Sequence, residues 1–401
     1  MLDAYIYDGI RSPIGRHAGK LAGVRPDDLA GEVIAEVVKR NGVKPEDISD
    51  VVMGCVTQAG EDCRNVARFA ALMAGLPPTV PGVTVNRLCA SGLQAVTDAA
   101  RAITVGEGDL YIAGGVESMT RAPYVMGKAQ SAYGRDVKMY DTTIGSRFTN
   151  PRFKKMYGDH AMPETGDNVA KEFGVSREQA DEFALGSQKK YARAEAEGFY
   201  KGEILGIALP AARKDAPPVV VSADEHPRRD STMEMLAKLK PLFEGGVVTA
   251  GNASGVNDGA AALVVASRKW GEKNGKKPIA KILSAASAAV EPRIMGVGPA
   301  YAIPKALERA GKSLKDMDII EINEAFASQV LGCLKLMNVD FKDPRVNPNG
   351  GAIAIGHPLG CSGARLALTV SRQLQETGSR YAAVSLCIGV GQGLAVILER
   401  Q

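Results

Sequence analysis

Four residues set in turns could do chemistry in this 401-residue chain: Cys89, Asn323, His357 and Cys387. Cys89 lies in Asn86-Arg87-Leu88-Cys89-Ala90-Ser91-Gly92-Leu93. The β-branched run Val83-Thr84-Val85 before it reads as a strand end, and Gln94 to Ile103 after it reads as a helix. A thiol in a strand-to-helix turn sits near the free N–H groups of a helix start, a setting that favours thiolate and hence a nucleophile. A buried structural cysteine is the alternative for a thiol taken alone.

His357 lies in Asn347-Pro348-Asn349-Gly350-Gly351-Ala352-Ile353-Ala354-Ile355-Gly356-His357-Pro358-Leu359-Gly360. A residue before proline is biased to extended backbone, and Pro358 suits the first position of a helix through Arg365 and Leu368. The imidazole is then near a helix N-terminus, which keeps it neutral as a base or donor. A structural histidine is the alternative, but the flanking glycines would let a substrate approach the backbone. Asn323, in Asn323-Glu324-Ala325-Phe326-Ala327, follows the strand Ile319 to Ile322. Polar groups at the C-terminal ends of such strands line sites in open α/β sheets, although a helix-capping asparagine is also common. Cys387-Ile388-Gly389-Val390-Gly391-Gln392-Gly393 ends a strand in a glycine turn that can aim N–H groups at one oxygen. It is not a dinucleotide fingerprint, because the spacing is not GxGxxG and Leu394 to Leu398 reads as strand.

The elements that must position these residues read as a duplication. A strand begins at Ala4, and a helix from Pro26 carries Leu29, Val33, Ile34, Val37 and Val38 on one face. Gly42 to Gly54 is a turn, a short helical approach and a strand; the Cys89 turn and helix follow, then the strand Leu110 to Gly115. The same order recurs as a helix over 302–310, Gly311 to Ile322, a glycine-rich turn into a helix over 349–375, and a strand over 382–390. Two βαβ-rich halves predict two sheets with crossover helices. The stretch 119–249 does not repeat and reads as an insertion, with a charged helix from Arg177 through Arg193 and breaks at Pro210, Pro217-Pro218 and Gly245-Gly246. The resulting division is 1–118, insertion 119–249, completion of the first half over 250–270, and second half 271–401.

Hydrophobic content of 45% with 23% charged residues is that of a soluble globular chain, and its length calls for more than one core. A net charge of +4 without a basic block argues against nucleic acid. No apolar run reaches membrane-spanning length. Cysteines 55, 63, 89, 333, 361 and 387 form no CxxC pair, so neither zinc nor a disulfide framework is indicated, and a reducing cytoplasmic setting is expected.

Taken together, the stretches around Cys89, Asn323, His357 and Cys387, with Ala250-Gly251-Asn252-Ala253-Ser254-Gly255-Val256-Asn257-Asp258-Gly259-Ala260, resemble the thiolase family along essentially the whole chain. The resemblance implies an α/β fold with a layered α-β-α-β-α core, an inserted loop domain, and ping-pong Claisen chemistry. It implies Cys89 as the acyl-carrying nucleophile and His357 as the acceptor of its proton. His357, with a water held by Asn323, would steady an enolate. Cys387 would act as acid and then base, and the N–H groups of Cys89 and Gly389 as the oxyanion hole. It places Ala250 and Ser254 near the pantetheine of coenzyme A, Met162 and Phe326 along its tunnel, and Arg228 near adenine or phosphate. A solvated surface charge is the alternative for Arg228. Coenzyme A is then a substrate, no metal or redox cofactor is needed, and a homo-oligomer (dimer or tetramer) is implied.

Asp141 to Pro151, with Tyr157-Gly158 and Met162 to Thr165, is similar to the branch of the family that takes β-ketoadipyl-CoA. A dicarboxylic acyl chain needs a cationic or multiply donating partner for its free carboxylate. Arg147, Arg152, Lys154, Lys155 and His160 are the available groups. The alternatives are an acetoacetyl-CoA thiolase, a decarboxylating ketoacyl synthase, and a non-catalytic thiolase-like lipid-binding protein.

Overall fold

A computed structural model describes residues 1–209 and 219–401; the breaks read at Pro210 and Pro217-Pro218 lie outside them. The first half comprises β1 (Ala4–Arg11), α1 (Pro26–Asn41), β2 (Asp50–Gly54), α2 (Val66–Met73), β3 (Gly82–Val85), α3 (Ser91–Val105), β4 (Leu110–Ser118) and, after the insertion, β5 (Asn257–Ala266). Within the insertion the longest helices are α4 (Met162–Phe173) and α5 (Arg177–Ala196). The second half comprises β6 (Ala280–Ala289), α6 (Gly298–Ala310), β7 (Ile319–Ile322), α7 (Ala327–Leu336), α8 (Leu359–Thr377), β8 (Tyr381–Ile388) and β9 (Gln392–Arg400).

The repeat read from the sequence is a repeat of topology. In the first half β2 pairs parallel with β4, β4 antiparallel with β5, and β5 antiparallel with β1. In the second half β7, β8, β9 and β6 stand in the same relations. The edge strand β3 of the first half is reduced in the second to a single parallel bridge between Ile320 and Val346. Even the helix ends match. Gly42 after α1 and Gly311 after α6 both take the left-handed conformation that closes a helix.

The expected two sheets are instead one. β1 and β6 pair antiparallel through Ala4–Ile282, Tyr5–Lys281 and Ile6–Ala280, joining the halves edge to edge in a sheet of ten strands. Without that pairing, both edges would leave backbone groups unmatched inside the protein. The layering nevertheless matches the expectation. Leu93, Val96 and Ile103 of α3 and Leu366, Val370 and Leu374 of α8 pack together between the inner faces of the two halves, against Leu263, Val265, Val384 and Leu386. On the outer faces, α1 and α2 cover Val51, Met53 and Val264, while α6 and α7 cover Ile320, Ile322 and Ile397. Because both faces of these strands are covered, β5 is buried at every residue, and from Gly259 to Ala266 it reads as an unbroken apolar run, not an alternating one.

One local expectation needs correction. The glycine-rich turn read ahead of the helix in 349–375 holds a short turn of helix, Ala352–Ile355, and the helix itself, α8, starts one residue later than expected. Pro358 is the residue capping α8, so Leu359 is the first helical position. Gly356, at φ 108°, separates the short turn from α8. The insertion is tied to the core by a fully buried ion cluster: Arg11 of β1 donates to Glu203 (2.6 Å) and Asp224 (2.6 Å), and Tyr191 of α5 donates to Asp224 (3.1 Å). Removing one member of such a cluster strands the others' charge, at about 3–5 kcal/mol.

Candidate active site

The Cys89 turn is held from several directions. Asn86 Oδ1 accepts the Leu88 N–H (2.9 Å), Ser91 Oγ donates to the Leu88 carbonyl (2.6 Å), and the same hydroxyl accepts the Arg87 N–H (2.9 Å). Leu88 is thereby kept at φ 46°, an uncommon conformation for a leucine. The turn also reaches the other half of the chain, since Arg87 donates to Gln392 Oε1 (3.1 Å). Cys89 is partly exposed from one side but densely surrounded on the others. Burial pushes its thiol up to about 11, while hydrogen bonds from the backbone N–H groups of Gly389 and of Cys89 itself pull the other way. Desolvation of the sulfur thus works against the acidification expected of a thiol at a helix start. A separate base must remove this proton.

His357, on the helix start that packs against the one carrying Cys89, supplies a neutral imidazole. The residue is 4% exposed, and burial, followed by the Arg365 guanidinium, holds it down to about 3. The expected neutrality is found, but its leading cause is burial. Ser362 Oγ lies 2.6 Å from Nδ1 and donates its own hydrogen to the Pro358 carbonyl (2.9 Å). From that hydrogen-bond pattern we assign the ring proton to Nδ1 and the lone pair to Nε2. The Asn323 amide nitrogen lies 3.5 Å from Nδ1 and 3.4 Å from Nε2. Near-equal distances to both ring nitrogens mean that it is in line with neither lone pair. Asn323 Oδ1 is buried and has no partner among the described residues, which suits it to accept from a water or a substrate.

Cys387 closes β8, fully buried, and its thiol is pushed well above the usual range by burial and by the neighbouring Cys89 sulfur. Phe326, Met295, Val248, Ala325 and Ala253 pack with it in one apolar cluster. The turn that follows places Gly389 against Leu88: a Cβ on Gly389 would lie 3.2 Å from Leu88 Cδ1. The two sulfurs and the Gly389 N–H thus meet across the junction of the halves.

That meeting depends on helices that touch backbone to backbone. A Cβ on Gly92 of α3 would lie 2.6 Å from the Gly360 carbonyl oxygen of α8, and one on Gly363 would lie 2.3 Å from the Leu93 nitrogen. Only glycine permits this approach.

The remaining sequence-predicted residues are less concentrated. Phe326 lines the Cys387 cluster, and Ser254 lies close by: its N–H donates to the Ala325 carbonyl (2.9 Å), next to an Ala253–Phe326 bridge. Ala250 is exposed, and Met162 opens α4 at 36% exposure. Arg228 is exposed; its backbone N–H donates to Gln188 (2.8 Å). Arg147 donates to the Gly145 carbonyl (3.3 Å), and His160 lies 3.6 Å from Glu164. Among the described residues, no hydrogen bond or ion pair joins Arg147 or His160 to Cys89, His357 or Cys387. Sequence reasoning missed Ser362, Arg365, Glu117 and the role of Asn257. A lone carboxylate in the otherwise apolar strand Leu110–Ser118 was a visible signal for Glu117. The proton-fixing contact of Ser362 comes from three-dimensional packing and left no such sign.

Comparison with known proteins identifies the family and the fold. The family description "Thiolase, N-terminal domain" matches residues 4–269 and "Thiolase, C-terminal domain" matches 276–400. A "Beta-ketoadipyl-CoA thiolase" of Escherichia coli is 55% identical over 402 aligned residues, covering 100% of both chains. A "3-oxoadipyl-CoA/3-oxo-5,6-dehydrosuberyl-CoA thiolase" of Escherichia coli (strain K12) is 55% identical with the same coverage. The solved Bacillus anthracis acetyl-CoA acetyltransferase superposes with a TM-score of 0.92 at 40% identity, covering 100% of this chain and 99% of that one. The chain belongs to the thiolase family and has the thiolase fold.

Proposed function

We propose that this thiolase cleaves 3-oxoadipyl-CoA with coenzyme A, giving succinyl-CoA and acetyl-CoA. The observation that carries the reaction type is the contact between the helix starts that bear Cys89 and His357, Gly92 against Gly360, with the Cys387 sulfur neighbouring Cys89 and the Asn323 amide against the imidazole. The substrate assignment is supported by full-length relatives at 55% identity named for β-ketoadipyl- and 3-oxoadipyl-CoA.

His357 Nε2 takes the Cys89 proton, and the sulfur attacks the C3 ketone of the substrate. The oxyanion is received by the N–H groups of Cys89 and Gly389, the two backbone groups that lower the pKa of the Cys89 thiol. The C2–C3 bond breaks and its electron pair passes to the acetyl-CoA enolate, whose oxygen is met by His357 and an Asn323-held water. Cys387, protonated because it is buried, gives its proton to C2. After acetyl-CoA leaves, the Cys387 thiolate takes the proton of the incoming coenzyme A thiol. That sulfur attacks the thioester, and Cys89 recovers its proton from the imidazolium. Every proton is handled by a side chain, so the scheme needs no metal or redox cofactor.

Ala250, Ser254, Met162, Phe326 and Arg228 are assigned to coenzyme A, and Arg147 or His160 with neighbouring cations to the distal carboxylate. The insertion over 119–249 is assigned to acyl binding and to contacts in a homo-oligomer, dimer or tetramer, in the cytoplasm. Exposed Tyr124, Met126, Met139, Ile144 and Phe148 support a covered surface there. None of the helices among the described residues is long and apolar enough to cross a membrane. Thiolysis rates with 3-oxoadipyl-CoA and acetoacetyl-CoA at equal coenzyme A test the assignment. A kcat/KM favouring 3-oxoadipyl-CoA is expected, and a strong preference for acetoacetyl-CoA would replace it with the acetyl-CoA acetyltransferase reading.

A further inference from the structure

α8 begins without a cap of its own. Its capping residue is Pro358, whose side chain can accept no N–H, and the first N–H groups of a helix have no partner within the helix. Two of the donors around this start are instead taken by side chains of the first half. Asn257 Oδ1 accepts the His357 N–H (2.9 Å), and Glu117 Oε2 accepts the Gly360 N–H (2.8 Å). Both residues are fully buried and stand on neighbouring strands, β5 and β4, where Gly259 pairs with Glu117.

Each is itself anchored. Asn257 Nδ2 donates to the Gly15 carbonyl (2.9 Å). Glu117 also accepts the N–H groups of Val56 (3.0 Å) and Thr57 (3.0 Å) in the loop after β2. The backbone on the other side is shaped to fit: a Cβ on Gly356 would lie 2.6 Å from the Asn257 amide carbon. We propose that Asn257 and Glu117 are positioning residues for His357, gripping the backbone on either side of Pro358 so that the imidazole is held where it meets Asn323 and the Cys89 proton. Ser362, which fixes the ring proton, rides on the same first turn of α8, so a shift of this turn moves both the ring and its partner.

This inference rests on the reading of His357 as base. The test uses the full-length protein and follows two quantities: alkylation of Cys89 by iodoacetamide as a function of pH, and thiolysis kcat and KM. Asn257→Ala and Glu117→Ala should each slow alkylation at pH 7.5 and lower kcat by about tenfold to a hundredfold, with KM within about threefold, because the lost contact misplaces a reacting group. Glu117→Gln keeps a carbonyl oxygen for Gly360 and should stay within about fivefold of the parent, its contact being retained. Raising the pH should recover alkylation in all of them as hydroxide replaces the base. If Asn257→Ala does not fold, Asn257→Ser takes its place, its hydroxyl being too short to span Gly15 and His357. Parent-like alkylation and kcat in the folded variants, a loss confined to KM, or equal losses in Glu117→Gln and Glu117→Ala would overturn the proposal. His357→Ala separates the two levels. If it alkylates like the parent, the base assignment fails; if it is slow while Asn257→Ala is not, only the clamp fails.

Discussion

Cys89 and His357 occupy equivalent places in the duplicated chain, each two residues ahead of its helix, which begins at Ser91 in one half and Leu359 in the other. Each helix start then meets the other at a glycine three residues further on, Gly92 against Gly360. The nucleophile and the base of the proposed reaction are thus the same structural position used twice. The packing of the halves brings the helix starts that carry them together.

The contact between these helices should be intolerant of a single methyl group. Gly92→Ala would drive Cβ into the Gly360 carbonyl, and overpacking of this kind costs about 1–3 kcal/mol. Urea unfolding should show that loss, and kcat should fall by more than the stability change alone explains, since the helices carrying Cys89 and His357 are forced apart. Unchanged unfolding and unchanged kcat would mean that the close approach is not required.

Cys387→Ala should separate the two thiols by role. Cys89 should still be alkylated at close to the parent rate, because its base is untouched. Thiolysis should fall by about 10² to 10⁴, the range for loss of a general acid–base group. Exchange of solvent deuterium into the acetyl-CoA methyl group should be lost with it. Retained exchange in Cys387→Ala would give that proton transfer to another residue.

The buried imidazole predicts a direction for acid sensitivity. His357 is held down to about 3 from an ordinary value of 6.5, so between these limits the unfolded chain binds a proton there and the folded chain does not. Its contribution to stability is complete above pH 6.5 and is lost as the pH falls towards 3. His357→Gln lacks this loss. The gap in Tm between parent and variant should therefore narrow from pH 7.5 to pH 5, and a gap that widens on acidification contradicts a neutral buried ring.

Much of this was legible in the sequence, for physical reasons that differ from place to place. The order of strands and helices showed because turn glycines such as Gly42 and Gly311 recur at matching points. The resemblance around Cys89, Asn323, His357 and Cys387 named residues that the fold sets in two neighbouring pairs, Cys89 with Cys387 and Asn323 with His357. The joining of β1 to β6 did not show, since edge pairing is written in no local pattern. Nor did the high pKa of Cys89, which is set by surrounding residues distant in the chain. The helix start at Leu359 was missed by one residue because proline is accommodated both at the cap and just inside it.

The substrate carboxylate gives a further expectation. If Arg147 or His160 reads it, Arg147→Ala or His160→Ala should raise KM for 3-oxoadipyl-CoA by about tenfold or more, the scale of one charged hydrogen bond, and leave acetoacetyl-CoA kinetics unchanged. Equal effects on both substrates would assign these residues to coenzyme A or to subunit contacts.

The most direct test is to find the acyl group. The protein is mixed with 3-oxoadipyl-CoA in the absence of free coenzyme A, quenched in acid within one turnover, digested and analysed by mass spectrometry. One succinyl group on the peptide containing Cys89, absent in Cys89→Ser and discharged by added coenzyme A, is the predicted result. A succinyl group on another residue, or an active enzyme that never carries one on Cys89, would contradict the account.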